Sequence, residues 1–546
     1  MTTYRTPGVY VEEKSTLPPS VAEVATAIPA FIGYTSNGPA DTAEPIVERI
    51  ATLLEFVTAF GGAQPAKFDV TEPADPADAV AVALTPPSHS FSLYYALSLY
   101  FRNGGGPCHV VSVGNYASTP SSPRFKKGLD ALEKEDEPTL IVLTDAACVL
   151  NASDYYDVCG HALVQCAKLG DRFTILDVVD GKVEDFRNNS NLSANLKYGA
   201  AYHPYLKTSI NYDYEDIGVS VKLAEVAGTH NLGGVKGIAV SFTGSTGSTP
   251  KVKVTLAGTL SFSIADGTLA VTGAKDKTGT DIAAAWSTWK KSNKTLGFDV
   301  VSSGDGSDVV ATADVASVAI VVVRKNTGVT LESILSSKTA LYNKTKAALA
   351  EQRVVLPPSS AVAGIYARVD REQGVWKAPA NVGVLSVLGP VARITDAQQE
   401  DLNVDSTAGK SINAIRSFTG KGTLVWGART LAGNDNEWRY VPVRRLFIVI
   451  EESVKKASAF AVFEPNDQTT WLKVRAMIES YLYGLWQQGA LAGSKPEAAY
   501  YVRVGLGTTM TPQDVLEGRM IVETGIAAVR PAEFIILRFS HKMQTA

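Results

Sequence analysis

Residues 100–113 read YFRNGGGPCHVVSV, and the reading of this stretch decides the fold class. Upstream of it, Phe91, Tyr94, Tyr95, Ser98 and Phe101 recur at helical spacing. Asn103-Gly104-Gly105-Gly106 then ends that helix, because these residues tolerate positive φ. Residues 108–113 follow as an apolar run that reads as a buried strand. Working outward, residues 140–143 and 173–178 are runs of the same kind, and residues 155–169 between them read as a helix. Strands alternating with helices predict a largely parallel sheet with both faces covered.

Beyond this block the chain separates by composition into four segments and is assigned six domain spans, a mixed α/β (α+β) multi-domain organisation. Residues 1–20 form an arm: Gly8-Val9-Tyr10-Val11-Glu12 is a short strand, and Pro18-Pro19 imposes extended backbone after it. So short a strand cannot bury its own face and must pair with something. Residues 21–216 carry the first part of the α/β domain. Residues 217–335 read as an inserted β-rich domain. There, turn residues alternate with short β-prone runs at 251–256, 260–264 and 269–272, and one helix is expected at 282–292. Residues 336–380 return to the α/β domain, residues 381–529 form a C-terminal domain, and residues 530–546 form a second strand arm. In the C-terminal domain, Val443, Leu446, Phe447, Ile450, Val454 and Ala457 fit one helix face. Trp471, Val474, Ile478, Tyr481, Leu482, Leu485 and Trp486 fit another. Thr511-Pro512-Gln513-Asp514 carries the cap, N1 proline and acidic N3 residue of a third, short helix. Residues 520–529 and 534–540 read as strands.

The composition narrows the function. With 45% hydrophobic and 19% charged residues the chain reads as folded soluble protein. Lys and Arg number 51 against 55 Asp and Glu, so no general positive field exists to attract nucleic acid or an anionic membrane. No apolar stretch reaches the length of a transmembrane helix, and Glu12 and Glu13 interrupt the N-terminus before a secretory h-region can form. Four cysteines are too few for a disulfide framework, which fits folding in a reducing cytosol.

Several stretches tempt a chemical reading. Gly409-Lys410-Ser411 resembles the end of a phosphate loop, but Val404 stands where the first glycine must be. Asp401, Asn403 and Asp405 occupy the first ligand positions of a Ca²⁺ loop, with Ser406 at its glycine and Ile412 at its bidentate glutamate. Cys159, His161 and Cys166 lack metal-knuckle spacing, and Cys108 and His109 point to opposite faces of a strand. No GxSxG, HExxH or complete GxGxxG is present. The expectation is a non-enzyme with no catalytic, cofactor or metal site.

Further stretches carry a family resemblance. They are residues 6–13 (TPGVYVEE), 26–33 (TAIPAFIG), 100–113, 357–366 (PPSSAVAGIY), 374–381 (GVWKAPAN), 412–416 (INAIR), 426–430 (WGART), Arg444-Arg445-Leu446-Phe447, 463–466 (FEPN) and 529–534 (VRPAEF). Their order along the chain resembles that of the sheath proteins of contractile tails: phage tail sheaths, R-type pyocins and the extracellular contractile injection systems. The inserted region matches nothing in that pattern.

The resemblance implies a structural subunit that polymerises helically around an inner tube, is held in a metastable extended state, and contracts to drive the tube through a target envelope. It implies self-association into stacked, hexameric rings, contact with the tube, baseplate and terminal cap proteins and with sheath paralogues, and no nucleic-acid or membrane insertion. Assembly would take place in the bacterial or host cytoplasm, and the product would be a virion or a released tail-like particle. Two orphan strands fit this, since strand addition to a neighbour's sheet generates rings or helices. By resemblance Gly8, Val9, Tyr10, Val11 and Glu12 are the N-terminal donor. Phe534, Ile535, Ile536, Leu537, Arg538 and Phe539 are the C-terminal one. The competing reading pairs both strands within their own chain. The family's C-terminal domain lies innermost, which makes Lys473, Arg475 and Glu479 candidates to face the tube, against the alternative of a solvated helix face. Alternative functions are a tube or baseplate component, or a nucleotide-binding enzyme using Gly409-Lys410-Ser411.

Overall fold

The computed structural model describes residues 21–536, apart from residues 74, 76, 88, 224–225, 230–234, 244–248, 321, 324–327, 406 and 535. Two compact units emerge. The first is drawn from the chain up to Ala63, from His89–Ile210 and from Val354 onward; the second is drawn from Gln64–Ser88 and Asn211–Arg353.

A nine-stranded sheet centres the first unit. Its parallel body runs, in spatial order, through Cys108–Asn115, Pro29–Thr35, Leu140–Val142, Phe173–Asp177, Gly199–His203 and Ile412–Phe418. Ile46–Ile50 closes one side antiparallel, and Gly422–Val425 and Val382–Gly383 close the other. Every residue of Pro29–Thr35 and of Phe173–Asp177 is buried, as strands covered on both faces must be. The helices Leu93–Arg102, Ser122–Leu132, Ala152–Leu169 and Ser359–Gln373 pack against these strands. The parallel sheet and its helices are therefore as the sequence leads one to expect. Its completion is not: Ile412–Phe418 and Gly422–Val425 come from the stretch that reads as a separate C-terminal domain, yet they extend the same sheet.

The stretch around residue 103 acts as a joint. The Asn103 amide donates to the Leu99 carbonyl at 2.9 Å, capping its helix. It also bonds both backbone groups of Leu385, at 2.8 and 3.1 Å. Across from it, a Cβ on Gly364 would lie 2.5 Å from the Tyr100 carbonyl, so glycine sets how closely the two helices approach.

Two fully buried carboxylates sit at the C-terminal ends of the parallel strands, where open α/β sheets commonly bind ligands. Asp145 accepts from the Tyr34 and Ser92 N–H groups at 2.8 and 2.6 Å. Asp177 accepts from the Ser359 N–H and hydroxyl at 2.8 and 2.6 Å, and that hydroxyl meets Thr144 Oγ1 at 2.6 Å. Burial pushes Asp145 up to about 6 against the pull of its N–H donors, and Asp177 up to about 7 against the Ser359 bonds. In this fold these groups lock the helix start at Ser359 and the turn at Ser92 onto the sheet.

The C-terminal part of the same unit packs Val441–Ala457, Gln468–Gln487 and a hairpin, Tyr500–Val504 with Val522–Ile526, around Leu446, Ile450, Val474, Ile478, Leu482 and Val502. Arg445 joins it to the sheet. The residue is 3% exposed and forms a two-pronged ion pair with Asp370, whose side chain is 3% exposed. Its guanidinium also donates to the Thr26 carbonyl at 2.8 Å and lies 4.6 Å from the centre of the Tyr366 ring. The Tyr366 hydroxyl in turn meets that of Tyr202, in Gly199–His203, at 2.7 Å.

The second unit has two cores of its own. One gathers Val240, Val254, Leu269, Val271 and Trp286 between two four-stranded sheets and the helix Gly279–Trp289, capped reciprocally by Thr278 and Asp281. The other surrounds the small sheet Val219–Lys222, Lys67–Thr71 and Ala81–Thr85, with the helix Thr339–Leu349. Residues 64–88, read from sequence as part of the first α/β segment, thus pack with the inserted region, because Phe68, Val70 and Val80 complete its core.

Two outcomes follow from this packing. Replacing Arg445 with Met leaves Asp370 as an uncompensated buried charge and should cost about 3–5 kcal/mol, read as a lowered urea midpoint. Adding Asp370→Leu should recover most of the loss, and a single variant as stable as wild type would contradict the role given to the pair. The raised Asp177 carboxyl keeps a proton in the fold that the unfolded chain releases. Its contribution to stability therefore falls as pH rises from about 4 to about 7 and is flat above. The melting temperature of Asp177→Asn relative to wild type should rise across that interval; parallel curves would show that Asp177 is ionised throughout.

Candidate assembly surfaces

Gly8, Val9, Tyr10, Val11 and Glu12, expected from the sequence to form an N-terminal donor strand, lie outside the described residues. The described chain begins at residue 21. Val21 and Val24 pack against the C-terminal core, and the Val24 N–H donates to Ser453 Oγ at 3.1 Å. Thr26 offers its carbonyl to Arg445 and, at 3.1 Å, to the Thr139 hydroxyl, which accepts from the Ile28 N–H at 2.9 Å. The next residue begins the central strand Pro29–Thr35. A cleft of about 160 Å³ lies beside these residues, lined by Val24, Thr26, Glu137, Asp171, Arg445 and Glu452 among others.

Near its C-terminal end the described chain is tied by one carboxylate. Glu533 accepts from Arg429 Nε at 2.9 Å and from Arg429 Nη2 at 2.6 Å. Asn403 Nδ2 adds a bond of 2.8 Å and the Tyr440 hydroxyl one of 3.3 Å. Burial pushes the Glu533 carboxyl upward, but the bonds from Arg429 and Asn403 and the Arg429 charge outweigh it. The net effect holds the group below the ordinary carboxylate range. Immediately afterwards Phe534 and Ile536 are 71% and 79% exposed and lie outside any strand of this chain. Ile535, Leu537, Arg538 and Phe539 fall outside the described residues.

The C-terminal hairpin is a two-stranded sheet, registered from Tyr500 opposite Ile526 to Val504 opposite Val522. Among the described residues each of its strands has a single strand neighbour. The side chains of Tyr501, Arg503 and Glu523 on it are exposed, with the Arg503 guanidinium 4.7 Å from the centre of the Tyr501 ring.

Lys473, Arg475 and Glu479 all fall on the Gln468–Gln487 helix, capped by Asp467. Arg475 and Glu479 pair one turn apart at 2.8 Å, and Lys473 is exposed. The same region presents apolar groups that periodicity did not single out, including Leu472 at 56% exposure and Phe463, fully exposed with a positive φ of 68°.

The stretches that tempted a chemical reading have structural employment. Lys410 is buried, and its Nζ donates to the Arg187 and Asn189 carbonyls at 2.5 and 3.2 Å. Asp405 accepts the N–H groups of Thr407 and Ala408 at 3.0 and 3.2 Å, Asn403 holds Glu533, and the Asp401 carbonyl accepts from Arg187. Cys159 and Cys166 are buried, and His161 pairs with Asp130 at 2.8 Å. Among the described residues, no group of three or more His, Cys, Asp or Glu is placed to hold a metal ion, and no helix is long and apolar enough to cross a membrane.

Comparison with known proteins places this architecture. The family model of the phage tail sheath protein central domain matches residues 244–431, and that of the phage tail sheath C-terminal domain matches residues 433–542, together more than half of the chain. The tail sheath protein of Burkholderia phage BcepMu is 34% identical over 144 residues, covering 26% of this chain and 30% of that protein. Matches to the curated relatives span about a quarter to a third of their lengths. Solved structures align over far more. A chain of the contracted helical sheath of the anti-feeding prophage is 28% identical with a TM-score of 0.56, covering 99% of this chain and all of that one. A chain of the contracted sheath complex of the PVC extracellular contractile injection system is 27% identical with a TM-score of 0.55, covering 99% of both. This chain belongs to the contractile tail sheath protein family.

Proposed function

We propose that the chain is the structural subunit of a contractile sheath, polymerising as a helix around an inner tube and shortening to drive that tube through a target envelope. The observation that carries this reading is the alignment, over 99% of the chain, with subunits of contracted sheaths. Near each end of the described chain the body holds the backbone or side chain with an arginine, Thr26 on Arg445 and Glu533 on Arg429. The segments beyond those ties are the donor strands: Gly8 to Glu12 at one end and Phe534 to Phe539 at the other. The hairpin of Tyr500–Val504 and Val522–Ile526 is the acceptor, since a two-stranded sheet leaves edges open to strand addition. A donor on one subunit and an acceptor on the next do not close by two-fold symmetry, so the contact propagates into rings and helices.

Such a machine needs no nucleotide if its free energy is stored in inter-subunit contacts during assembly and released when subunits repack. The Gln468–Gln487 helix, with Lys473, Arg475 and Glu479, is the tube-facing element of this reading. Baseplate and cap proteins are the further partners, and the particle is a virion or a tail-like injection device assembled in the cytoplasm.

Deleting residues 1–20 should leave a soluble monomer with an unchanged melting temperature that does not polymerise. Negative-stain microscopy and sedimentation, with and without a candidate tube protein, measure this. Long cross-striated tubules from the truncated chain would overturn the donor-strand assignment.

A further inference from the structure

Three of the stretches that carry the family resemblance have no chemistry of their own, and in the fold they meet at one point. Asn413, in residues 412–416, accepts the Arg429 N–H at 2.8 Å and donates to the Arg429 carbonyl at 2.8 Å. The same amide donates to the Ala201 carbonyl at 3.1 Å, within the parallel sheet. Arg429, in residues 426–430, is 4% exposed, and its Nη1 donates to the Asn403 carbonyl at 3.1 Å. The Arg429 backbone is thereby fixed to the sheet and its guanidinium to the end of the helix Asp396–Asn403, and Glu533, in residues 529–534, docks on that guanidinium. Docking uses Nε and Nη2 together, and a two-pronged contact fixes direction as well as distance.

We infer that Glu533 is the positioning residue of the C-terminal arm: clamped on Arg429, it sets the point and direction at which residues 534–546 leave the body, and polymerisation depends on that clamp. The inference rests on reading those residues as a donor strand. The position of the clamp supports it. Phe534 and Ile536 are exposed, so among the described residues Glu533 makes the last hydrogen-bonded tie. Among those residues the tie before it is the Val529 N–H to the Ala490 carbonyl at 3.3 Å. Releasing Glu533 would therefore free four more residues, adding up to about 14 Å of reach and losing the set direction. A tether of fixed origin presents its strand to a neighbouring edge at a higher effective concentration than a longer, freely swivelling one. Tyr440 and Asn403 add two further hydrogen bonds to the same carboxylate, at 3.3 and 2.8 Å.

The test compares the full chain, Glu533→Gln, Arg429→Lys and a chain ending after Glu533. Glu533→Gln leaves the Arg429 charge without its counter-ion, so it should melt a few degrees lower while staying folded at the assay temperature. It should exchange amide hydrogens across residues 529–536 at least tenfold faster and lower the sedimenting polymer at least tenfold, as the truncation does. Arg429→Lys, which keeps the charge but not the two-pronged geometry, should fall between. Wild-type polymer from Glu533→Gln, alongside no polymer from the truncation, would overturn the clamp and leave the donor arm standing. Wild-type polymer from the truncation would instead sink the donor-strand reading itself. If Glu533→Gln does not fold, Asn403→Ala replaces it: faster exchange at 529–536 with less polymer supports the clamp, and unchanged exchange overturns it.

Discussion

The buried pair of Arg445 and Asp370 is the constraint on which the rest of this body depends. Removing two charges from water costs several kcal/mol per ion, and their attraction repays it only with good geometry and further bonds. Here the further bonds are what matter. The guanidinium holds the carbonyl of Thr26 and lies against Tyr366, which reaches Tyr202 in the sheet. One side chain thus fixes the entry of the chain, a covering helix, a central strand and the C-terminal helices against one another. Replaced by apolar packing, the four elements could slide; a two-pronged ion pair with a third directed bond permits one arrangement.

The resemblance stretches share this character. Asn103 binds Leu385, Asn413 binds Arg429, Gly364 admits Tyr100, and Asn466 donates to the Arg519 carbonyl at 3.0 Å. Each joins separate segments through an amide or a missing Cβ. They read as joints.

Much of this was legible in the sequence, and the limits have a physical cause. Helical spacing from Phe91 to Phe101, the turn at Asn103 and the run after Cys108 are local signals, and the Leu93–Arg102 helix and Cys108–Asn115 strand lie where those signals put them. The capping pattern of Thr511 to Asp514 was equally local, and Thr511 caps Pro512–Leu516. Strand order is not local. Nothing in the period of Ile412–Phe418 tells that it lies beside Gly199–His203, and nothing in Lys67–Thr71 tells that it pairs with Val219–Lys222. Arg429 and Glu533 were visible as members of two stretches, but an ion pair spanning 104 positions leaves no periodic trace. Gly409-Lys410-Ser411 fell short of a phosphate loop for want of a glycine at position 404, and in the fold Lys410 is buried against two carbonyls, a role local spacing does not reveal.

The second unit is threaded by two separate excursions of the chain, and this bears on how the family can be varied or re-engineered. Gln64–Ser88 and Asn211–Arg353 share one core, in which Phe68 and Val70 pack with Val219, Val221 and Leu331. A transplant that exchanged only the longer excursion would strand an apolar hairpin without its cover. The modular cassette is therefore discontinuous: lineages or designers that swap it must recombine at two places together, or confine change to the β-rich core around Trp286, which is complete in itself.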